Sequence, residues 1–340
     1  VYKRQHIIAL TRHATGSSRY GTKRKRPQMP YKGLHGPFTP ASRVFYHKNA
    51  AKLLKKNHII SYGISKSNGE SIQLSFLLLP LHNIILIFSH IMNTSDSIVI
   101  IPTYNEIENI EKIIRAVFGL EKKFDILIID DGSPDGTAAK VKELMGQEFN
   151  GRLHLLERSG KLGLGTAYIK GFKWALERDY EYIFEMDADF SHDPKDLPRL
   201  YAACHDEGYD VAIGSRYVSG VNVVNWPIGR VLMSYFASKY VRFITGFKVN
   251  DTTAGFKCYK RRVLETIELD KIRFKGYAFQ IEMKYTAYKI GFKIKEVPVI
   301  FVNRREGVSK MSGGIFGEAF FGVMRLRWDG WTRKYPKIKE

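Results

Sequence analysis

From Ser97 onwards the sequence alternates short apolar runs with longer amphipathic segments. The run SIVIIP is rich in β-branched residues and ends at a turn signal, as buried parallel strands do. The next segment, EIENIEKIIRAVFGL, places isoleucines at helical spacing. The later apolar runs, separated by helical segments, are FDILIID, RLHLLE, YIFEMD and DVAIGS. Repeated strand–helix–strand units predict an α/β fold, in which helices flank both faces of a mainly parallel central sheet.

Polar residues follow the predicted strands at the point where each strand ends. The segments concerned are PTYNE, DDGSPD, MDADFS and GSRY. Ligands of parallel α/β sheets bind outside the carboxyl ends of the strands. We therefore expect the chemistry of this protein at these four segments.

The region after residue 220 has a different pattern. The segment WPIGRVLMSYFASKYVRFITG predicts a helix rich in large apolar residues, and AGFKCY predicts a strand. Another helix is expected around Phe279–Lys289, followed by one strand over 292–302. The final segment, 313–340, is amphipathic. The sequence contains no internal repeat.

The net charge of +20 would suggest a nucleic-acid partner if it were spread along the chain. It is not, because Val1–Ile91 holds 15 Lys and Arg against one acidic residue, whereas Met92–Glu340 holds 39 against 33. The larger part of the chain is therefore only mildly basic. We predict no nucleic-acid partner for it.

The first 91 residues show no regular hydrophobic period, and three interpretations stay open for them. They are not part of the native protein, or they form a disordered basic arm. In the third interpretation, Phe76–His90 is a membrane anchor or targeting segment. A membrane span needs about 20 apolar residues, however, and Pro80, His82 and Asn83 interrupt this run. The folded catalytic part is accordingly expected from Met92 onwards.

Only two cysteines occur, Cys204 and Cys258, and they are isolated in the sequence. They argue against a disulfide framework and fit a reducing compartment. No uninterrupted apolar segment of spanning length follows Met92. The catalytic part is therefore expected to be soluble or to lie on a membrane surface.

The segment GKLGLGTA contains Gly163 and Gly165, two glycines at the spacing found in dinucleotide-binding loops. The dinucleotide fingerprint requires a third glycine three residues later, where this chain has Tyr168. The loop also follows the third predicted strand and not the first. We expect instead a loop whose glycines allow close approach to a ligand or to a neighbouring backbone.

Asp187 and Asp189 form a pair of carboxylates directly after a predicted strand. Such a pair can bind one hard cation, Mg²⁺ or Mn²⁺, together with the phosphates that the cation bridges. A solvated loop or a helix cap is the alternative. For Asp193, which precedes Pro194, a cap is the favoured interpretation.

This pair of carboxylates is one of several motifs that follow one another in a fixed order. They are IPTYNE, IIDDGSPDGT, MDADFSHDP, GSRY, WPIGRVLMS, DTTAGFKCY, KGYAFQIEM and FVNRREGVSK. With them the sequence resembles the family 2 glycosyltransferases of the GT-A (Rossmann-like) fold, and among these the polyprenol-phosphate (dolichol-phosphate) mannosyltransferases. The resemblance runs from about Ser97 to Lys310. It implies a catalytic domain over 92–312 and amphipathic helices at a membrane interface.

The resemblance implies transfer of mannose from GDP-mannose to a polyprenyl or dolichyl phosphate, with inversion and with Mg²⁺ or Mn²⁺ as cofactor. A related transferase that uses UDP-glucose or UDP-GlcNAc on polyprenyl phosphate or a polysaccharide is the alternative. A non-enzymatic adaptor would be expected to lose the metal carboxylates, which are present. The implied location is peripheral, on the cytoplasmic face of a membrane, and an anchoring subunit is left open.

The resemblance also implies a donor site for GDP-mannose. Its nucleotide pocket would be lined by Pro102, Tyr104, Glu106, Ile129 and Asp131, with Asp131 accepting hydrogen bonds from the base. Its ribose and diphosphate would face Asp187, Ala188 and Asp189. The implied metal ligands are Asp187, Asp189 and Ser191, the last standing where the family often has Gln.

Basic residues complete the implied site. Arg216, Arg304 and Lys310 would surround the phosphates, and Asp189, Arg216 and Arg304 are the catalytic candidates. The acceptor phosphate would be bound by Arg216, Arg230 and Ser234. The i, i+4 spacing sets Arg230 and Ser234 on one helical face. Two interpretations of that helix stay open: a buried helix with a polar stripe, or a helix lying in the headgroup layer.

Overall fold

The structure is a computed structural model, in which the chain divides into two compact units, Val1–Ile87 and Phe88–Glu340. The residues that it describes are 42–45, 59–66, 71–77, 95–276, 278–303 and 314–338.

The described part of the first unit is an antiparallel three-stranded sheet of β1 (Ser42–Phe45), β2 (Ile59–Lys66) and β3 (Ser71–Leu77). These strands were not predicted, and the interpretation of 1–91 as disordered or not native stays a prediction. The signal missed in the sequence is the alternation of Ile and Tyr with Ser and Gly along IISYGISK, which has the two-residue period of a strand. Of the predicted anchor, Phe76 and Leu77 belong to β3, and 78–90 lie outside the described residues.

The second unit has the predicted alternation of strands and helices. Its first part comprises β4 (Ser97–Thr103), α1 (Ile107–Phe118), β5 (Asp125–Asp130), α2 (Thr137–Gln147), β6 (Leu153–Glu157), α3 (Leu164–Leu176), β7 (Tyr182–Glu185), α4 (Leu197–His205) and β8 (Val211–Ser215). Its second part comprises β9 (Val223–Val224), α5 (Ile228–Thr245), β10 (Lys257–Lys260), α6 (Arg261–Thr266), α7 (Ala278–Ile290), β11 (Ile294–Pro298), β12 (Phe301–Val302) and α8 (Gly314–Thr332). Short 3₁₀ turns cover Pro194–Asp196 and Leu269–Lys271.

Seven strands form one sheet in the order β11-β8-β10-β7-β4-β5-β6. All neighbouring pairs are parallel except those of β10, which runs antiparallel to both β7 and β8. The predicted α/β fold with a mainly parallel central sheet is confirmed. The carboxyl ends of β4, β5, β7 and β8 carry the four polar segments, so the sheet brings them to one edge.

Alternate residues of the strands enter two different cores. Ile98 and Ile100 of β4 belong to a core that also includes Tyr168 and Phe172 of α3. Val99 and Ile101 belong to the opposite core, which α1, α2 and α4 cover. Because successive side chains of a strand point to opposite faces, fully apolar strands such as β4 require helices on both faces.

The glycine loop before α3 lies against backbone, as predicted. Gly165 donates its N–H to the Lys275 carbonyl oxygen over 2.8 Å. A Cβ atom at Gly165 would lie 2.8 Å from the Phe274 carbonyl oxygen, so only glycine fits this position. The loop thus positions the start of α3.

The segment 292–302 differs from the prediction of one strand. It divides into β11, at the edge of the main sheet, and β12, which pairs with β9 in a separate two-stranded sheet. β11 ends at Pro298, opposite the last residue of β8, and Val299 donates its N–H to the Ser215 carbonyl oxygen over 3.1 Å. The chain thereby carries Phe301 and Val302 from the main sheet towards the site.

The C-terminal helix α8 is part of the second unit. The Tyr240 ring of α5 stacks on Phe320 with centroids 5.0 Å apart, and its hydroxyl donates to the Phe320 carbonyl oxygen over 3.1 Å. Within the part of the chain that the structure describes, no helix is both long and apolar enough to cross a bilayer.

Candidate active site

Three residues other than glycine adopt left-handed backbone conformations in the described ranges, namely Asn105, Phe190 and Asn225, with φ of 56°, 57° and 60°. The first two lie in loops at the carboxyl edge of the sheet, and Asn225 directly precedes Trp226. Asparagine adopts this conformation readily, but for phenylalanine it is costly, and strained backbone of this kind is concentrated at functional sites. Phe190 thus singles out the loop after β7 as part of a candidate site.

The loops after β4 and β5 are tied together by hydrogen bonds. Asp130 accepts from the backbone N–H of Ser133 over 2.8 Å, and the Ser133 hydroxyl accepts from the N–H of Asn105 over 3.0 Å. Asp135 accepts from the N–H of Thr137 over 3.0 Å. Asp130 and Asp135 therefore act as turn-forming residues.

The residues predicted to bind the nucleotide lie at the rim of these loops. Pro102, Tyr104 and Glu106 are all half-buried. The Lys161 ammonium lies 5.4 Å from the centre of the Tyr104 ring, and Glu106 Oε2 accepts from the Asn109 amide over 3.2 Å. A flat ring and a carboxylate at an open rim can contact a base and a ribose.

Asp131 forms a buried bidentate ion pair with Arg158, with Nε–Oδ1 of 2.6 Å and Nη2–Oδ2 of 2.8 Å. Arg158 also donates to Thr166 at the start of α3 over 2.8 Å. Sequence inspection missed Arg158, since a lone arginine after a strand carries no signal of its partner. Ile129, in contrast, is 0% exposed in the core, so only its main chain could face a nucleotide.

The loop after β7 holds the two predicted metal carboxylates. The side chain of Asp187 is 40% exposed, whereas Ala188, Asp189 and Ser191 are buried. The left-handed turn at Phe190 lets the N–H of Ser191 donate to Asp189 Oδ1 over 3.0 Å. Asp193 caps the following 3₁₀ turn by accepting from the N–H of Lys195 over 3.0 Å, as predicted.

His192 is a buried neutral residue behind this loop. Burial lowers the pKa of its imidazole to about 4, although the nearby charge of Asp189 acts in the opposite direction. Its Nδ1 accepts from the N–H of Asp187 over 3.2 Å. The ring stacks on Phe256 at 4.9 Å and meets the edge of Phe301 at 5.3 Å. His192 therefore packs against the loop that carries Asp187 and Asp189, which is called the carboxylate loop below.

The donor set of the loop fits a hard divalent cation that is shared with a ligand. In the described ranges no three His, Cys, Asp or Glu side chains converge as a metal cluster. The buried Ser191 hydroxyl finds no hydrogen-bond partner among the described residues. Two carboxylates and this hydroxyl are the residues that would hold Mg²⁺ or Mn²⁺, with phosphate and water completing the shell.

Arg216, after β8, is oriented by a buried acid that the sequence did not reveal. It donates to Asp251 through Nε over 2.7 Å and through Nη2 over 2.6 Å. Burial opposes ionisation of both groups, but their mutual attraction raises the pKa of Arg216 and lowers the pKa of Asp251. Glu296 of β11 accepts from the N–H of Asp251 over 2.9 Å and so fixes this acid in turn.

A second arginine lies beside Arg216. Arg230, in the first turn of α5, donates to Asn303 over 3.0 Å, and its guanidinium lies 4.0 Å from the centre of the Trp226 ring. Ser234, one turn later, is half-buried. Arg304 and Lys310 lie outside the described residues.

Charged groups are also buried under the sheet edge. Lys257 of β10 lies 3.0 Å from Glu185 at the end of β7, and both side chains are fully buried. Burial lowers the pKa of Lys284 well below its ordinary value, and its ammonium donates to the Ala254 carbonyl oxygen over 2.6 Å. Buried ion pairs of this kind fix geometry more than they stabilise a fold.

The strand β12 joins the carboxylate loop to the arginines. Phe301 lies 5.3 Å from His192 and 5.4 Å from the guanidinium of Arg216, and Val302 donates its N–H to the Ser191 carbonyl oxygen over 3.4 Å. Carboxylates for a cation and guanidinium groups for phosphate therefore lie at one end of the sheet. Such a site can transfer a group between phosphorylated molecules.

Comparison with known proteins agrees with this geometry. Residues 98–268 match the model of glycosyl transferase family 2. The chain is 48% identical over 230 residues to the polyprenol monophosphomannose synthase of Mycolicibacterium smegmatis, covering 68% of this chain and 86% of that protein. It is 45% identical over 235 residues to the undecaprenyl-phosphate mannosyltransferase of Micrococcus luteus, covering 68% and 95%.

A solved structure shows the same fold. It is glucosyl-3-phosphoglycerate synthase from Mycobacterium tuberculosis in complex with Mn²⁺, UDP and glucosyl-3-phosphoglycerate, with a TM-score of 0.50, 17% identity and coverage of 69% of this chain and 79% of that one. Fold and site together define a glycosyltransferase of the GT-A class. The chain belongs to glycosyltransferase family 2, and the predicted family is confirmed.

Proposed function

We propose that this enzyme transfers mannose from GDP-mannose to a polyprenyl or dolichyl phosphate, with inversion, giving the lipid-phosphate mannose and GDP. The observation that carries the proposal is the pair Arg216 and Arg230, both within 6 Å of one tryptophan ring and close to the carboxylate loop. Two guanidinium groups suit a reaction in which both substrates are phosphorylated. The names of the two relatives supply mannose and the polyprenol acceptor.

The chemistry needs positioning more than proton transfer. The nucleophile is a phosphate anion, so no general base has to remove a proton from it. The obstacle is the repulsion between two phosphorylated substrates and the charge of the departing diphosphate. Arg216, held by Asp251, supplies fixed positive charge for both tasks, and Arg230 binds the acceptor. In-line attack by the acceptor oxygen inverts the anomeric carbon.

The carboxylate loop binds the donor substrate, GDP-mannose. Asp189 is oriented by the N–H of Ser191, and Asp187 is more exposed, where a ribose or a diphosphate-bound cation can reach it. A divalent cation bound there supplies electrostatic stabilisation of the leaving diphosphate. Arg304 and Lys310, in FVNRREGVSK, remain predicted phosphate ligands.

The choice of guanine rests on the resemblance of IPTYNE and IIDDGSPDGT to the nucleotide pocket of the family. Asp131 stays a predicted acceptor for the base, although Arg158 already binds both of its oxygens, so that a base could use only their remaining lone pairs. A UDP-glucose or UDP-GlcNAc transferase is the second candidate, because its donor would need the same carboxylate loop.

A panel of nucleotide sugars tests the proposal. The purified full chain is incubated with polyprenyl phosphate and GDP-mannose, UDP-glucose or UDP-GlcNAc, with Mg²⁺, with Mn²⁺ or with EDTA. We expect mannosyl lipid from GDP-mannose alone and none in EDTA. Transfer from a UDP-sugar but not from GDP-mannose would establish the second candidate.

Membrane attachment is proposed for the face formed by α5 and α8, on the cytoplasmic side of a membrane. The exposed apolar side chains of this face are Phe236, Phe243, Phe321, Trp328 and Trp331, each more than 60% exposed. Large apolar side chains at this exposure mark an interaction surface. A lipid acceptor makes the interfacial interpretation of α5 the favoured one.

Vesicle flotation measures this attachment. The full chain is expected to float with vesicles that contain anionic lipid, and Phe243→Glu with Trp328→Glu is expected to lower the bound fraction at least about tenfold, since the buried aromatic area is lost. The control is Leu162→Glu, which changes an exposed apolar residue of the glycine loop. Wild-type protein that stays in solution would instead point to an anchoring subunit.

Replacement of Arg230 separates the two substrate sites. Arg230→Ala is expected to raise KM for polyprenyl phosphate by at least about tenfold, because one charge-assisted contact to phosphate is lost. KM for GDP-mannose is expected to change less than about threefold, which is the size of effect that the loss of one exposed charge typically has on a site that it does not contact. Steady-state kinetics with each substrate varied provides the measurement. Equal increases in both KM values would contradict the acceptor assignment.

A further inference from the structure

Trp226 contacts both arginines of the site. Its ring centre lies 4.0 Å from the Arg230 guanidinium and 5.6 Å from the Arg216 guanidinium. Both distances are within cation–π range, and tryptophan is the strongest partner for such contacts. Two guanidinium groups near each other repel, and the negative face of the ring offsets part of that repulsion. The ring can therefore keep both cations in one place before any phosphate binds.

The position of the ring is fixed by its surroundings. The edge of Phe301 meets it with centroids 5.1 Å apart and planes at 78°. The left-handed residue Asn225 directly precedes it and turns the chain out of β9. Since β9 pairs with β12, the strand that carries Phe301 also positions the segment that carries Trp226.

The indole N–H of Trp226 is a buried donor that finds no acceptor among the described residues. A buried donor without a partner is costly, and natural structures leave few of them. An N–H on a ring that contacts two guanidinium groups repels another cation and suits an anionic oxygen. The missing partner is thus expected to be an anion that enters with the ligand.

We propose that Trp226 is a further residue of the acceptor-phosphate site, whose ring orients Arg216 and Arg230 and whose N–H donates to an oxygen of the phosphate. This proposal deepens the proposed function and rests on it for the identity of the acceptor. Tyr217, another neighbour of Arg216 at 5.2 Å, completes the aromatic surroundings of the two cations.

Farnesyl phosphate, a short polyprenyl phosphate, is the probe. It is titrated calorimetrically into the full chain in EDTA, without nucleotide, so that binding is read without turnover. Trp226→Phe keeps a ring and removes the N–H, and we expect about tenfold weaker binding, the loss of one hydrogen bond to a charged group. Trp226→Leu also removes the cation–π contacts, and we expect a total loss of about 30-fold or more. The Kd of Trp226→Phe for GDP with Mn²⁺ is expected to stay within about twofold, because the N–H that it lacks is assigned to the acceptor phosphate alone.

Trp174 provides the matched control. It is a half-buried tryptophan whose ring lies 3.6 Å from the guanidinium of Arg178, at the far end of α3. Trp174→Phe and Trp174→Leu are expected to leave the Kd for farnesyl phosphate unchanged. If Trp226→Leu fails to fold, Trp226→Phe decides alone.

The outcomes are distinct. Farnesyl phosphate binding by Trp226→Phe equal to that of wild type, or parallel losses for farnesyl phosphate and GDP, would overturn the proposal. So would a wild-type chain that does not bind farnesyl phosphate. Trp226-dependent binding by a chain that transfers no mannose would instead support the phosphate site and refute the proposed function.

Discussion

Asp189→Ala is expected to lower mannose transfer by roughly 10³-fold, the scale on which removal of one preorganised electrostatic contact acts. The substitution removes the carboxylate that would share a cation with the diphosphate. Since Asp189 also accepts from the N–H of Ser191 over 3.0 Å, about 1 kcal/mol of the free energy of unfolding is expected to be lost. Transfer of radiolabelled mannose to polyprenyl phosphate measures the rate, and urea unfolding measures the stability.

A second readout separates metal loss from misfolding. Binding of Mn²⁺ in the presence of GDP, followed by electron paramagnetic resonance, is expected to weaken in Asp189→Ala and in the isosteric Asp189→Asn. The control is Asp193→Ala in the same segment, which removes a cap and costs about 1 kcal/mol of stability but should leave transfer intact. Turnover near the wild-type rate in Asp189→Ala would refute the assigned role of the carboxylate.

Asp251→Asn is expected to reduce transfer by roughly 10²-fold through misplacement of Arg216, which donates three hydrogen bonds to Asp251, one from its backbone N–H and two from its guanidinium. The substitution preserves the volume of the side chain but leaves a buried guanidinium without its counter-charge. Breaking a buried pair in this way costs about 3 kcal/mol of the free energy of unfolding. Rates measured well below the unfolding temperature isolate the effect on Arg216.

Asp210→Asn is the control for this effect. Asp210 is equally buried, just before β8 begins, and accepts from Arg262 over 2.8 Å, whereas Asp251 serves the opposite end of the same strand. Asp210→Asn is expected to lower stability and to leave kcat unchanged. Equal losses of kcat in the two variants would show that Asp251 acts on the fold and not on Arg216.

The strands and helices of the sheet could be predicted because each carries its own periodicity. The run SIVIIP has no polar residue between its ends, so β4 had to be covered on both faces, and α1 shows its apolar stripe over 107–118. The edge at which the site lies followed from the direction of parallel strands. The substrate- and metal-binding residues were predicted from the order of the family's motifs and not from residue spacing.

Ion pairs between residues that are distant in the sequence could not be predicted, because the sequence around one residue does not identify its partner. Asp131 and Arg158 are 27 residues apart, and Arg216 and Asp251 are 35 apart. The two cysteines, isolated in the sequence, are neighbours in the fold, with Cys204 Sγ 3.9 Å from the Cys258 carbonyl oxygen. The single strand predicted over 292–302 is divided because its first half pairs with β8 and its last two residues pair with β9, and neither partner is evident from the local sequence.

The strand order has a consequence for how the chain reaches its native state. Within the described sheet, β8 is flanked by β10 and β11, which are synthesised more than 40 and more than 75 residues later. A nascent chain that has reached residue 215 therefore holds a complete apolar strand without either neighbour. Non-local pairing of this kind slows folding, and an open strand edge invites aggregation. Chaperone protection during translation should matter most in the interval between the emergence of β8 and that of β10.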